Sequence, residues 1–166
     1  NSSNPGFVEI GRRLGKKRIY NYVKNFGLTQ KTGVDLPGES CGIMFDYKNF
    51  HELEQATVAF GQGISVTPLQ LVTAISACVN GGYLLQPHIL KEVRNNNNEI
   101  IYQAKRKVKR QVIKEETSKK VRDALESVVT DGGGRNAYID GYRIGGKTGT
   151  AQKAVNGSYV GGGYIL

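Results

Sequence analysis

Residues 141–150, GYRIGGKTGT, contain two patterns that support different chemistry. Gly141 to Thr148 fits G-x-x-x-x-G-K-[ST], the glycine loop whose backbone N–H groups and lysine bind phosphate. The triplet Lys147-Thr148-Gly149 alone fits a second pattern, in which a strand presents a lysine, a hydroxyl and a glycine to a substrate. The flanking sequence distinguishes the two patterns, because each needs different neighbouring elements.

A phosphate loop needs a buried strand before it and a helix directly after it, because the helix N-terminus supplies N–H groups and a favourable dipole. Residues 131–140, DGGGRNAYID, contain no apolar run suited to a central strand. Residues 149–164, GTAQKAVNGSYVGGGY, have glycines and a turn where the helix would begin. We therefore favour the strand interpretation.

In an extended chain Lys147 and Gly149 point to one side, and Thr148 and Thr150 point to the other. The lysine ammonium would bring positive charge into a cleft, and the hydroxyls would hydrogen-bond a substrate carboxylate. Gly149 would let the substrate backbone approach closely, since it has no side chain. Residues 147–150 are therefore the candidate substrate-binding strand, predicted as part of an extended stretch over 142–153.

The chain before this strand is predicted to begin with two consecutive helices. Apolar residues recur at helical spacing from Phe7 to Leu14, before Gly15, and again from Ile19 to Phe26, before Gly27. Residues 28–55 are rich in glycine, proline, aspartate and lysine, which predicts a long irregular excursion packed on the surface.

Two later helices have clear starts. Thr67-Pro68-Leu69-Gln70 combines a capping box with a proline at the first helical position, and Leu71, Ile75 and Val79 are predicted to form the buried face of this helix. Residues 115–130 are predicted as a helix with acidic residues in its first turn. Between these helices, residues 83–93 and 100–104 are predicted to pair as a hairpin closed by asparagines 95–98.

The composition indicates one soluble globular domain: of the 166 residues, 39% are hydrophobic and 22% charged, and the longest apolar stretch is far too short to span a bilayer. The formal charge is +9, with a basic run over residues 105–110. Since no aromatic platform or recognition motif flanks this run, we favour a solvated connection facing an anionic surface over nucleic-acid binding. Cys41 and Cys78 have no metal-ligand spacing and are interpreted as inert core thiols.

Three further segments make the strand interpretation specific. The chain opens with Ser2-Ser3-Asn4, an S-x-N box that precedes the K-T-G triplet, and it contains GVDLPGE at residues 33–39 and FGQGISVTPLQL at residues 60–71. Together with these segments, residues 125–153 strongly resemble class B penicillin-binding proteins, particularly those of Gram-positive and spore-forming bacteria. The resemblance covers nearly the whole chain.

The resemblance implies an α+β fold in which helices flank both faces of an antiparallel sheet, and it implies no cofactor and no metal. In the family, the residue equivalent to Ser2 joins a proton relay, Asn4 holds the substrate amide, and Lys147 stabilises the relay. Thr148, Gly149 and Thr150 would lie along the substrate-binding strand, with the Thr150 N–H as one oxyanion donor. The implied partners are peptidoglycan stem peptides, β-lactams and cell-division or elongation proteins, with the parent protein anchored at the extracytoplasmic face of the membrane.

One family motif is missing. The nucleophile belongs to S-x-x-K, and no serine of this chain has a lysine three positions later. We therefore expect residues 1–166 to be the C-terminal part of a transpeptidase domain, inactive alone because the attacking group is absent. Two alternatives remain open: a β-lactamase-like sensor or hydrolase, and a non-catalytic module that binds cell-wall peptide or a division partner through residues 28–55.

Overall fold

A computed structural model describes residues 2–149, 151–155 and 158–165, and it confirms the predicted α+β class with antiparallel pairing. The helices are α1 (Asn4–Leu14), α2 (Lys16–Asn25), α3 (Glu52–Ala59), α4 (Pro68–Val79) and α5 (Glu115–Thr130). The strands are β1 (Tyr83–Leu85), β2 (Glu92–Arg94), β3 (Ile100–Gln103), β4 (Val108–Gln111), β5 (Ala151–Val155) and β6 (Ser158–Ile165). Short 3-10 helices lie at Tyr47–Asn49 and Arg135–Ala137.

The two predicted N-terminal helices are confirmed. Ser3 is the N-cap of α1, and its hydroxyl accepts the Gly6 N–H at 3.4 Å. Gly15 separates α1 from α2 with φ of 78°, a conformation that glycine adopts without steric cost. The chain turns there without a loop, so α2 begins one residue after α1 ends.

The prediction that residues 28–55 form a surface excursion is wrong at its C-terminal end. This stretch includes the start of α3, and the ring of Phe50 is fully buried, edge-on to Tyr20 with centroids 5.6 Å apart. Helix α3 then packs closely against α1, because Gly11 has no side chain to hold the helices apart. A Cβ added at Gly11 would lie 2.7 Å from the Cβ of Ala59.

Residues 32–39 are held by the two carboxylates of the GVDLPGE segment. Asp35 accepts the N–H groups of Ile89 and Leu90 at 2.7 and 2.9 Å, and these hydrogen bonds lower its pKa. Burial tends to raise the pKa of Glu39, but hydrogen bonds from the Thr32 hydroxyl and the N–H groups of Thr32 and Gly33 outweigh burial and lower it. Both acidic side chains therefore stabilise irregular backbone.

The capping box of α4 is confirmed: the Thr67 hydroxyl accepts the Gln70 N–H at 3.2 Å, and the Gln70 side chain accepts the Thr67 N–H at 2.9 Å. Gln70 is 1% exposed, and its amide also donates to the Gln30 carbonyl at 2.8 Å. This side chain therefore ties the start of α4 to the irregular segment after α2.

The predicted buried face of α4 is wrong. Leu71 and Ile75 are 46% and 51% exposed, whereas Gln70, Ala74 and Ala77 are buried. Helix α4 packs against β1 and α5, and its buried positions include the small side chains of Ala74 and Ala77. The core-thiol interpretation is also wrong for Cys41, which is exposed; Cys78 is half-buried, burial raises the pKa of its thiol, and both thiols are free.

The predicted hairpin is confirmed only in part. β2 pairs with β3, but β1 pairs with β4 at Tyr83↔Gln111 and Leu84↔Arg110. Pro87 follows β1 and cannot donate to a ladder, so the predicted long first strand divides. The interpretation of the basic run 105–110 as a solvated connection is wrong for its second half, because residues 108–110 belong to β4. Within this strand, Lys109 donates to the Thr32 carbonyl at 3.1 Å.

Helix α5 has the predicted bounds and is fixed to the end of α4 through the fully buried Ser118. The Ser118 hydroxyl accepts the Gly81 N–H at 3.1 Å and donates to the Cys78 carbonyl at 2.8 Å. Within the part of the chain that the structure describes, no helix is both long enough and apolar enough to cross a membrane.

Gln70→Ala is expected to lower the free energy of unfolding by about 2 kcal/mol, because it leaves the Thr67 N–H without its acceptor and the Gln30 carbonyl without its donor. Urea unfolding followed by circular dichroism measures this change. Gln103→Ala on exposed β3 is the matched control, expected to stay within about 0.5 kcal/mol of wild type. Equal losses in both variants would contradict the role given to Gln70.

Acid is expected to destabilise the protein through Asp35 and Glu39. Since folding lowers both pKa values, their stabilisation is complete above the ordinary values of 3.8 and 4.5 and is lost as pH falls below them. Urea midpoints at pH 7 and pH 3 should therefore differ less in Asp35→Asn/Glu39→Gln than in wild type. Asp140→Asn, at an exposed aspartate, should retain the wild-type difference between the two midpoints. An equal difference in wild type, the double variant and Asp140→Asn would refute the prediction.

Candidate active site

Residues 142–149 run without regular secondary structure into β5, which begins at Ala151. A strand therefore follows the K-T-G triplet where a phosphate loop requires a helix, and the phosphate-loop interpretation is excluded. The predicted strand is confirmed only for its C-terminal part, because Lys147, Thr148 and Gly149 precede it. Thr150 lies outside the described residues.

The segment before the triplet is fixed against one turn of α5. The Gly146 N–H donates to the Leu125 carbonyl at 3.1 Å. A Cβ added at Gly145 would lie 3.0 Å from the Leu125 Cβ and 3.3 Å from the Glu126 nitrogen. Glycine at 145 therefore allows the segment to lie directly on the helix.

An ion pair supports the same contact. Arg143 Nε lies 2.9 and 3.1 Å from the two carboxylate oxygens of Glu126, and Arg143 Nη2 also contacts this carboxylate. Hydrogen bonding from Arg143 lowers the pKa of Glu126, and the same contact raises the pKa of Arg143. The pair therefore remains charged at neutral pH.

Lys147 and Ser2, which are 145 positions apart in the sequence, are in direct contact. Lys147 Nζ donates to Ser2 Oγ at 3.0 Å and also contacts the Thr148 carbonyl. The neighbouring serines thus have different contacts, since Ser3 caps α1 while Ser2 faces the lysine. Asn4, the first residue of α1, is exposed, as are Thr148 and Gly149.

The hydrogen-bond directions at this contact follow from the groups themselves. A lysine ammonium has only donors, so Ser2 Oγ must accept from Lys147. The Ser2 hydroxyl hydrogen is then free to point at a third group, while the positive charge beside it stabilises negative charge that develops on its oxygen. The arrangement can therefore pass a proton through Ser2.

A cleft of about 390 Å³ lies beside this segment, between α5 and residues 143–145. Its apolar lining comes from Val79, Leu125 and Ile144, and charged side chains from α5 surround it. The cleft lies beside residues 143–145, which precede the K-T-G triplet, whereas Ser2 and Lys147 are exposed on the surface.

The sequence matches the family described as "Penicillin binding protein transpeptidase domain" over residues 1–163. The chain belongs to this family. Two curated relatives are Stage V sporulation protein D of Bacillus subtilis, 54% identical over 167 residues, and the probable peptidoglycan D,D-transpeptidase PenA of Neisseria meningitidis, 34% identical over 160 residues. These alignments cover 100% and 96% of this chain and 26% of each relative.

The fold is similar to that of penicillin-binding protein 3 from Mycobacterium tuberculosis, solved in complex with ampicillin. The TM-score is 0.87 and the sequence identity 34%, covering 99% of this chain and 37% of that one. The chain thus spans about a quarter of the length of the curated relatives that it matches, and it forms a partial transpeptidase domain.

The ion pair of Arg143 with Glu126 was not foreseen from the sequence. Its partners are 17 residues apart, and no helical or strand spacing connects them. The second role of Gln70 was missed for a related reason, because the capping pattern already accounted for this residue and the Gln30 carbonyl lies 40 positions away.

Gly145→Ala is expected to lower the free energy of unfolding by about 1 kcal/mol, because the added methyl group meets helix backbone that cannot move aside easily. Gly133→Ala is the control, since a Cβ there meets nothing within 4 Å. Thermal and urea unfolding of both variants test this prediction. A loss at Gly133 as large as that at Gly145 would contradict the assignment of the Gly145 loss to contact with α5, since Gly→Ala at an uncrowded position should not destabilise the fold.

Proposed function

We propose that the protein containing this chain is a serine D,D-transpeptidase that cross-links peptidoglycan stem peptides through an acyl-enzyme. Family membership supports the reaction class, and one observation of the site carries the proposal: Lys147 Nζ lies 3.0 Å from Ser2 Oγ, although the two residues are 145 positions apart. The S-x-N and K-T-G boxes are therefore in direct contact. Such a contact is what a proton relay between them requires.

The nucleophile in this proposal is the serine of an S-x-x-K segment outside residues 1–166. Its oxygen attacks the penultimate carbonyl of a D-Ala-D-Ala stem peptide, and the terminal D-alanine leaves with a proton. Ser2 passes this proton, because its oxygen accepts from Lys147 and its own hydrogen remains available. An amine of a second stem peptide then attacks the ester carbonyl, which forms the cross-link and releases the serine.

The remaining site residues bind the substrate. Asn4 lies two residues after Ser2, at the start of α1, where its amide can hold the peptide backbone of the substrate. Thr148 and Gly149 form the exposed segment along which the peptide lies, and the Thr150 N–H is an oxyanion donor. A donor of this kind contributes on the order of 3 kcal/mol to the reaction barrier.

β-Lactams are the proposed inhibitors, because they would acylate the same serine. The relative from Mycobacterium tuberculosis was solved with ampicillin, which supports this assignment. The name of the relative Stage V sporulation protein D supports sporulation as the setting. The proposed location of the parent protein, anchored in the membrane and acting outside the cytoplasm, follows from the family resemblance.

Fluorescent penicillin tests the proposal. We expect covalent label on a version of the protein extended to include S-x-x-K and no label on residues 1–166 alone. Lys147→Ala and Ser2→Ala in the longer version should slow acylation by about 100-fold or more, which is the usual range for removing an acid–base group. Labelling reactions quenched at a series of times and analysed by gel fluorescence measure the acylation rates.

Asp140→Asn in the longer version is the control and should label at the wild-type rate. An extended protein that folds and does not label would refute the transpeptidase proposal and favour a binding module. Rapid release of the label by water would favour the hydrolase alternative.

A further inference from the structure

The residues just before Lys147 are attached to α5 by three consecutive contacts. The Arg143 side chain pairs with Glu126, Gly145 lies against Leu125, and the Gly146 N–H donates to the Leu125 carbonyl. All three contacts fall on one turn of the helix. The position of Lys147 therefore depends directly on where this turn lies.

The ion pair differs from an ordinary surface pair in its geometry. Both Glu126 oxygens contact the guanidinium, and the Glu126 side chain is 26% exposed although the Arg143 side chain is 78% exposed. Arg143 Nη2 also lies 3.7 Å from Asp123, at the longer distance of a second, single contact. By contrast, the Lys120–Glu116 pair on the same helix joins residues one turn apart, with both side chains 74% exposed. Exposed pairs of that kind contribute little, whereas a bidentate arginine–carboxylate pair fixes orientation as well as distance.

Helix α5 is itself well anchored, so it can act as a rigid support. Ser118 bonds to the Cys78 carbonyl and the Gly81 N–H, and Arg122 Nη1 donates to the Val79 carbonyl at 2.7 Å. These contacts hold the helix to the end of α4. Because α5 itself is held in place, the contacts of residues 143–146 with Leu125 and Glu126 determine where these residues lie.

The hydrogen bond between Lys147 and Ser2 tolerates only a small displacement of either side chain. Lys147 Nζ and Ser2 Oγ are 3.0 Å apart, and a displacement of about 1 Å would break a hydrogen bond of this length. A misplacement of that size in an active site can cost about 100-fold in rate.

We infer that Arg143, through its bidentate pair with Glu126, is a positioning residue that sets Lys147 Nζ at hydrogen-bonding distance from Ser2 Oγ. The inference rests on the proposed transpeptidase function and adds a determinant outside the S-x-N and K-T-G boxes. Neither Arg143 nor Glu126 touches substrate in this assignment. Their effect should therefore appear in the acylation step and not in substrate binding.

The test uses the extended, S-x-x-K-containing protein and a fluorescent penicillin, with the binding constant and the acylation rate constant resolved by varying penicillin concentration. Glu126→Gln and Arg143→Gln are expected to reduce the acylation rate constant about 10- to 100-fold, with the binding constant and the final label per protein unchanged. Arg143→Lys, which keeps the charge but contacts only one oxygen, should fall between wild type and Arg143→Gln. The double variant should lose no more than Arg143→Gln alone, because that change already removes the pair with Glu126.

Glu116→Gln is the matched control, because it makes the same change on the same helix at the exposed Lys120 pair, and it should label like wild type. A merely structural role would lower the final label, since an unfolded fraction cannot react, while the folded remainder would keep the wild-type rate constant. That result, or wild-type rates in both Gln variants, would overturn the inference and leave the proposed function intact. Absence of label on the wild-type extended protein would instead overturn the proposed function, and the inference with it.

Discussion

The hydrogen bond between the Lys147 ammonium and the Ser2 hydroxyl joins residues 145 positions apart, and the arrangement of the candidate site depends on it. Its two ends are positioned independently. Ser2 directly precedes the N-cap of α1, and α1 packs on α3 at Gly11. Lys147 directly follows a segment fixed to α5. A 3.0 Å contact between two such supports requires that the packing of both helical groups be accurate to a fraction of that distance.

Much of this accuracy comes from polar side chains that bind irregular backbone. Gln70, Asp35, Glu39 and Lys109 all contact main-chain groups in the segments between regular elements. Backbone N–H and C=O groups away from water need partners, and loops cannot supply them to themselves as helices do. These four side chains therefore provide hydrogen-bond partners for loop backbone, as neighbouring strands do for each other in a sheet. The two carboxylates of the GVDLPGE segment are used in these structural contacts.

The comparison of α4 and the strands with their predictions shows which features local patterns determine. The start of α4 was predicted to the residue, because a capping box and a proline are local interactions within four positions. Its buried face was not, because Leu71 and Ile75 fit the helical period as well as Ala74 and Ala77, and the choice depends on what packs against the helix. The β1 strand pairs with β4 and not with β3 for a similar reason, since pairing depends on partners distant in sequence.

The sequence by itself determined the family and the helices α1, α2, α4 and α5, because motifs and caps consist of neighbouring residues. The same motifs make Ser2, Asn4 and Lys147 the candidate site residues. Tertiary structure decided which of two adjacent serines faces the lysine and which one caps a helix. It also decided that Arg143 meets Glu126 across 17 residues. Such contacts are set by the relative placement of packed elements, and no local spacing in the chain encodes that placement.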